Sequence, residues 1–383
     1  MKKRTDGRYQ KNVYIGIGEN GKKKYKSVFG KTQKEVNQKV AELKIKLNKG
    51  IDVSSENDTF GDWINRWKTY KKELVSENQY YNYNTYLKHF ESLFDIKISK
   101  LQVSDFQLII NQLAKKNPTT NNPTSKKTLR ELKITAGQVF KFAIKNRAID
   151  FNPLEYVEIP KDSPKQERRA LTREEQQWII DTPGRAQLPA MIMMLAGLRL
   201  GECLALQWCD IDLDNATIDI NKTMKMTGNH SEIKPGAKTK AGIRIVDIPQ
   251  ILVDFLKNQP PHSTFDYLIT NKQGGFITKS SWKNMWRSYL NDLNLKYGDF
   301  SNYINKPKSK FQPGGVPFVI EPFTAHYLRH THATNLFKAG YDVLYIQKQL
   351  GHTKPETTLN IYTHLVKDIK KESQSKLDKY LAG

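Results

Sequence analysis

The period of the apolar residues changes twice along this chain, and that change limits the fold more than any single motif. Asn12-Val13-Tyr14-Ile15-Gly16-Ile17-Gly18 alternates apolar with other residues, as a half-buried strand does. Glu19-Asn20-Gly21 reads as a turn, and Lys24-Tyr25-Lys26-Ser27-Val28-Phe29 as the returning strand. Thr32 and Glu35 have capping-box spacing and open a helix with Val36, Val40, Leu43 and Leu47 on one side. From about Asp58 the alternation stops. Trp63, Trp67, Tyr70 and Leu74 recur at helical spacing, 86–94 continues the pattern, and 101–115 and 125–145 supply two more amphipathic helices. This stretch reads as an all-helical domain whose aromatics form its core.

The helical stretch ends at Asn152-Pro153 and at 159–169, where two prolines and seven charged or amide side chains in eleven residues describe an exposed linker. Thr172 and Glu175 then repeat the capping-box spacing. Beyond them 212–222 and 242–248 alternate like strands, while the remainder is helical. The expected fold is multidomain and mainly α with small β elements. It comprises an N-terminal ββ(β)α module over 1–52, a helical domain over 57–158, a linker over 159–170, and a mixed α+β domain over 171–383.

Composition narrows the partners. The 383 residues carry 62 Lys+Arg against 39 Asp+Glu, a net charge of +23, so the expected large partner is a polyanion, most simply nucleic acid. Nearly half of that excess lies in residues 1–50, where 15 Lys+Arg face 4 Asp+Glu, a net +11. Lys22, Lys23, Lys24 and Lys26 gather at the turn of the N-terminal strand pair, which makes that module a candidate groove reader. The alternative is a solubilising basic module. Two cysteines exclude a disulfide scaffold and fit a reducing compartment. The most apolar run, 188–198, is broken by Pro189 and falls far short of the ~20 residues that span a bilayer. No apolar stretch follows the basic N-terminus, so neither a signal peptide nor a membrane partner is expected.

Four segments of the last domain carry candidate chemistry. In Gly197-Leu198-Arg199-Leu200-Gly201-Glu202, Arg199 and Glu202 stand three apart in an apolar context, so the carboxylate can brace the guanidinium. Lys238-Thr239-Lys240-Ala241-Gly242-Ile243-Arg244-Ile245 reads as a turn feeding a strand, with a lysine near the loop tip. In His326-Tyr327-Leu328-Arg329-His330-Thr331-His332, His326 and Arg329 are two donors at i,i+3. The three histidines raise a metal site, but no carboxylate stands between them as in a zincin. Leu350-Gly351-His352 precedes a short helical pattern that contains Tyr362. Singly, each has an ordinary explanation as a surface pair, a basic turn or a core aromatic. Together, two arginines, two histidines and a lysine can surround one phosphate without a metal. Tyrosine, with an ordinary pKa of ~10, needs such a positive site to act as an oxyanion.

In order and spacing, these segments resemble the tyrosine recombinases, the integrases of phages and conjugative or transposable elements. The resemblance covers nearly the whole chain. It implies an arm-type DNA-binding domain at the N-terminus, then a core-binding domain, then the catalytic domain with its C-terminal tail. It further implies that Tyr362 attacks a DNA phosphodiester to leave a 3′-phosphotyrosyl bond and a free 5′-hydroxyl. Arg199, Arg329 and His326 would hold the scissile phosphate, His352 would hydrogen-bond it, and Lys240 would protonate the departing oxygen. Lys238 competes for that last role. Glu202 would orient an arginine. No metal, ATP or other cofactor is implied. The implied partners are double-stranded DNA at core and arm-type sites and a homotetramer acting through a Holliday junction, the tail docking on a neighbouring protomer. An excisionase or host DNA-bending protein is an accessory partner compatible with the family, and the setting is the bacterial cytoplasm, at the nucleoid when acting. The long polar segment 295–321 is expected as an element-specific loop near DNA or a mobile insertion. Two other functions compete: a non-enzymatic sequence-specific DNA-binding regulator, and a metal-dependent nuclease using the histidines.

Overall fold

A computed structural model of the chain describes residues 3–17, 22–48, 50, 52–164, 169–236, 242–260, 263–303, 307, 309–311 and 315–352. It divides into two compact units, Met1–Gln166 and Glu167–Gly383.

The first unit opens with an antiparallel ribbon, β1 (Tyr9–Ile17) and β2 (Lys23–Gly30), backed by α1 (Gln33–Asn48). Val13 and Val28 face Val36, Val40 and Leu43 of the helix, a small core that matches the alternation and the helical spacing in the sequence. A bulge between Tyr14 and Gly16 shifts the register, and Gly16 supplies the positive φ of 133° found there. Thr32 caps α1 through the Glu35 amide, 3.2 Å, but the Glu35 carboxylate reaches back to the Lys31 amide, 2.7 Å, rather than to Thr32. Among the described residues the module's optional third strand is represented by an isolated bridge between Lys3 and Tyr9.

Four helices follow: α2 (Phe60–Lys72), α3 (Glu77–Lys88), α4 (Val103–Lys115) and α5 (Lys126–Lys145). Phe60, Phe90, Phe106 and Phe140 meet edge-on or tilted at their centre, so the aromatic bulk does serve as core. Two expectations are corrected. Tyr70 is 53% exposed and stacks on Phe142 at the surface, and Leu74 lies beyond the helix end and is exposed. The helical pattern over 86–94 breaks at His89, whose amide caps the last turn, and resumes as a 3₁₀ turn at Glu91–Leu93. The segment after Asn152 is less solvated than a linker: Val157 and Ser163 are buried, and the Pro164 carbonyl accepts the Lys126 amide.

In the second unit, α6 (Arg173–Asp181) begins at a reciprocal Thr172–Glu175 capping box. Arg169, expected as a solvated linker charge, forks onto Glu175 at 2.6 Å and meets Glu321 at 2.7 Å. α7 (Gln187–Leu195) is apolar nearly all round and forms the core, packed against α11 (Ala325–Lys338). Between them come α8 (Leu200–Leu204), α9 (Gln250–Lys257) and α10 (Lys279–Tyr297), and α12 (Val343–Leu350) closes the described part.

The alternation over 212–222 resolves into short pieces rather than one strand. β3 (Ile211–Asp212) and β4 (Thr217–Ile220) flank a turn in which the Asp212 carboxylate accepts the amides of Asp214 and Asn215. β7 (Arg244–Asp247) pairs antiparallel to β4, giving the order β3-β4-β7. A separate hairpin, β5 (Lys222–Thr227) and β6 (His230–Pro235), lies against α8. Of 295–321, the first residues extend α10. Where it is described, the rest is tied down by buried Asn294, whose side chain donates to the Pro317 carbonyl and accepts the Val319 and Ile320 amides. Among the described residues no helix is long and apolar enough to cross a membrane.

Candidate active site

Ala196 caps the C-terminal end of α7, and Gly197 turns the chain with φ +70°. A Cβ here would sit 2.4 Å from the His332 ring, so only glycine lets this turn approach α11 so closely. The turn delivers Arg199 to the N-cap of α8, just outside the helix rather than on its face as the i,i+3 spacing suggested. From there Arg199 binds Glu202 twice. Its amide reaches Oε2 at 3.0 Å and its Nη1 reaches Oε1 at 2.7 Å, while Nη2 donates to the Gly351 carbonyl at 2.9 Å. Gly201 lies under this turn, and a Cβ there would meet Thr223 Oγ1 at 2.7 Å and the Met224 carbonyl at 2.8 Å.

Arg329 comes from α11 and is buried. Its Nη1 donates to the Gly197 carbonyl at 2.7 Å, its Nη2 donates to the Leu350 carbonyl, and Nη1 lies 4.0 Å from Glu202. A third guanidinium, Arg244, completes the group. Nη2 of Arg244 meets Glu202 Oε2 at 3.0 Å, Nε donates to the Gln349 carbonyl at 2.8 Å, and Nη1 donates to the Gly242 carbonyl at 3.0 Å. In the sequence Arg244 stands only as part of the frame around Lys240. Its signal was the phase of the alternation, which puts Arg244 inward with Val246, a charge at a core position.

Three guanidiniums therefore share one carboxylate, itself 4% exposed, and among the described residues no other side-chain carboxylate pairs with them, which leaves two positive charges uncompensated there. Three successive carbonyls at the C-terminal end of α12, those of Gln349, Leu350 and Gly351, each accept from one arginine. These are groups that an α-helix leaves without internal partners, at the negative end of its dipole. Burial works against ionisation of Glu202, but the hydrogen bond and charge of Arg244, with those of Arg199, hold its carboxyl below the ordinary range. Burial and the neighbouring Arg199 lower Arg329 to about 9, and Glu202 opposes the shift, so the group stays charged at neutral pH.

Gly351 ends α12 in the left-handed conformation, φ 60°, and places His352 next to the arginines. Burial, then the charges of Arg329, Arg199 and Arg244, push His352 down to about 4. It is therefore a neutral imidazole at pH 7, with one N–H to donate. His326, exposed in the first turn of α11, lies close enough for its charge to bear on His352. His332 is buried beneath Gly197 and is pushed down to about 4 by burial and by Arg329, and its Nε2 has no partner among the described residues.

The structure thus brings together Arg199, Glu202, His326, Arg329 and His352. Lys240, its competitor Lys238, Tyr362 and the C-terminal tail lie outside the described residues. Of the basic turn, Lys22, Lys23 and Lys24 are exposed. Lys26 is less exposed, and its ammonium is paired with Glu56 and donates to the Val53 carbonyl. No group of His, Cys, Asp and Glu arranged to hold a metal ion occurs among the described residues.

Comparison with known proteins places this geometry. Residues 165–368 match the Phage integrase family, and residues 59–114 match the Phage integrase N-terminal SAM-like domain. A tyrosine recombinase XerC-like protein of Caldanaerobacter subterraneus is 28% identical over 94% of this chain and 92% of its own length. The ICEBs1 integrase of Bacillus subtilis is 26% identical over 100% of both. The fold is shared with the Tn1549 transposon integrase in complex with transposon right end DNA, at a TM-score of 0.63 and 20% identity, covering 84% of this chain and 99% of that one. With the first match alone spanning more than half its length, the chain belongs to the phage integrase family and is a site-specific DNA recombinase of the tyrosine type.

Proposed function

We propose that the arginine cluster is the seat of the scissile phosphate and that Tyr362 is the nucleophile. The observation that carries this reading is the charge count: among the described residues Arg199, Arg244 and Arg329 face a single carboxylate, and a phosphodiester supplies the missing negative charge. Arg199 and Arg329 bind the non-bridging oxygens with His326, and neutral His352 donates its N–H to one of them. Arg199, the most exposed of the three guanidiniums, is the first to meet DNA. Glu202 orients Arg199 and does not touch the substrate.

In the forward step the Tyr362 oxygen bonds to phosphorus, the bond from phosphorus to the 5′-oxygen breaks, and the phenolic proton is released. Lys240 gives a proton to the departing oxygen, leaving a 5′-hydroxyl and a 3′-phosphotyrosyl linkage. The reverse step, with a 5′-hydroxyl from the partner duplex as nucleophile, rejoins the strand. Because the phosphotyrosyl ester keeps the energy of the cut bond, neither ATP nor metal enters the balance.

The same reading assigns 1–52 to arm-type sites through Lys22, Lys23 and Lys24, with Lys26 held by Glu56. It assigns 57–158 to the core site, 159–170 to the connection and 171–383 to catalysis. The active species is a homotetramer on a Holliday junction, with an excisionase or host bending protein as accessory, working at the bacterial nucleoid. A lambda integrase of the same fold, TM-score 0.54 and 16% identical over 92% of this chain and 95% of its own, forms a tetramer bound to a Holliday junction. The test is a nicked suicide duplex carrying the core site, incubated with the protein in chelator. An SDS-resistant adduct that disappears with Tyr362→Phe supports the assignment. An adduct that persists in that variant refutes it.

A further inference from the structure

α12 is fixed by two different kinds of contact. On one side Ile346 and Leu350 pack with Ala333 and Phe337 of α11 in a small apolar cluster separate from the main core. Apolar contact is non-directional and leaves the register of a helix loosely set. On the other side α12 meets β7, the edge strand of its sheet, through a closed polar triangle. Tyr345 Oη donates to Asp247 Oδ2 at 2.7 Å, and Gln349 Nε2 donates to both Asp247 Oδ2 and Tyr345 Oη at 2.8 Å. The directions follow from chemistry: an ionised carboxylate only accepts, so the amide nitrogen must face it. Burial and the Asp247 carboxylate push the Tyr345 phenol up to about 12, which keeps it a donor. The amide oxygen of Gln349 is buried and unpartnered among the described residues, a cost that the geometry of the triangle imposes.

Gln349 belongs to both networks. Its side chain closes the triangle, and its main-chain carbonyl receives Arg244. The next two carbonyls receive Arg329 and Arg199. Sliding α12 by one residue would move these carbonyls by about 1.5 Å along the axis, beyond hydrogen-bond reach of their arginines. We infer that Asp247, Tyr345 and Gln349 form a latch that sets the register of α12 on β7 and so positions the three guanidiniums for phosphoryl transfer. These are positioning residues, not catalytic ones. The inference rests on the arginine cluster being the phosphate site. β7 begins four residues after Lys240, and α12 ends twelve residues before Tyr362, so the latch joins the element that follows Lys240 to the element that precedes Tyr362.

The test measures two quantities with the full-length protein and a nicked core-site duplex: the single-turnover rate of covalent adduct formation and the equilibrium affinity. DNA affinity is spread over many phosphates and does not depend on the latch, whereas transfer depends on sub-ångström placement. Tyr345→Phe removes one hydroxyl from a half-buried ring stacked on Tyr341, so the fold is kept. Tyr345→Phe, Asp247→Asn and Gln349→Glu are each expected to slow adduct formation about tenfold and leave affinity within about twofold. Asp247→Asn combined with Gln349→Glu exchanges donor and acceptor and is expected to recover most of the rate. Wild-type rates in the single variants overturn the latch, as does a parallel fall in affinity or a double variant as slow as the singles. The wild-type control separates this from the larger reading: no Tyr362-dependent adduct in the unmodified protein overturns the phosphate site itself.

Discussion

The basic ribbon of β1 and β2 and the arginine cluster of the second unit are both positively charged, yet they hold their charge under opposite conditions. On the ribbon, Lys22, Lys23 and Lys24 are exposed. In the cluster, Arg244 and Arg329 are buried, and their charge is sustained by Glu202 and by two carbonyls at the end of α12, those of Gln349 and Leu350. Charge in water costs little and binds weakly per contact. Charge withdrawn from water must be compensated at once, but it is then rigid and strong. The N-terminal charge suits gripping, and the buried charge suits chemistry.

The comparison breaks hardest at Glu202. Glu202→Gln keeps the shape but removes the one carboxylate that, among the described residues, pairs with the three guanidiniums, and the loss of a buried partner is worth about 3–5 kcal/mol. Urea unfolding should show that loss, and adduct formation should fall with it. Were the variant as stable as the wild type, the three guanidinium charges would already be balanced without it.

Acid probes the same region through His332. Its folded-state pKa of about 4 lies below the ordinary 6.5, so the unfolded chain takes up the proton first. The stability that comes from keeping it neutral is complete above pH 6.5 and is lost as pH falls towards 4, by about 3 kcal/mol. His352 shifts the same way. The difference in unfolding free energy between wild type and His332→Gln, followed from pH 7 to pH 4, isolates the His332 share from general acid effects. Binding a phosphodiester adds a negative charge beside His352 and should raise its pKa, which an imidazole NMR titration with and without DNA would read.

Gly197→Ala should cost less, about 2 kcal/mol, from a left-handed φ of +70° and a Cβ placed 2.4 Å from the His332 ring. A melting curve would measure it. A null result would mean that α11 can retreat from the turn without disturbing Arg329.

Much of this site was legible because its parts are local. Arg199 with Glu202, His326 with Arg329, and Leu350-Gly351-His352 each announce themselves within a few residues of sequence. The fold was legible where periodicity is clean, as in Val13 and Val28 against Val36, Val40 and Leu43. What sequence hid is tertiary. Arg244 stood in plain view beside Lys240, but its value comes from Glu202 and Gln349, which lie 42 and 105 residues away. Lys26 looked like its three neighbours until Glu56 claimed it. The β5–β6 hairpin has too little alternation in Lys222–Thr227 to declare a strand, and Arg169 looked solvated until Glu175 and Glu321 were placed around it. In each case a distant partner decides what a polar side chain is for.

The smallest stability effect belongs to the ribbon, and it is the most informative contrast with Glu202. Replacing Lys23 and Lys24 with glutamine removes two exposed charges, so unfolding free energy should change by no more than about 0.5 kcal/mol. DNA binding should nevertheless respond. If both lysines neutralise phosphates, the slope of log affinity against log salt falls by about 2, since each contact contributes about 0.9. Lys26→Gln should do the reverse, costing some stability through Glu56 while leaving the salt slope unchanged. A variant pair that altered the slope equally at Lys26 and at Lys24 would show that Glu56 releases Lys26 when DNA arrives. The line between gripping charge and structural charge would then run through the DNA-bound state rather than through the free protein.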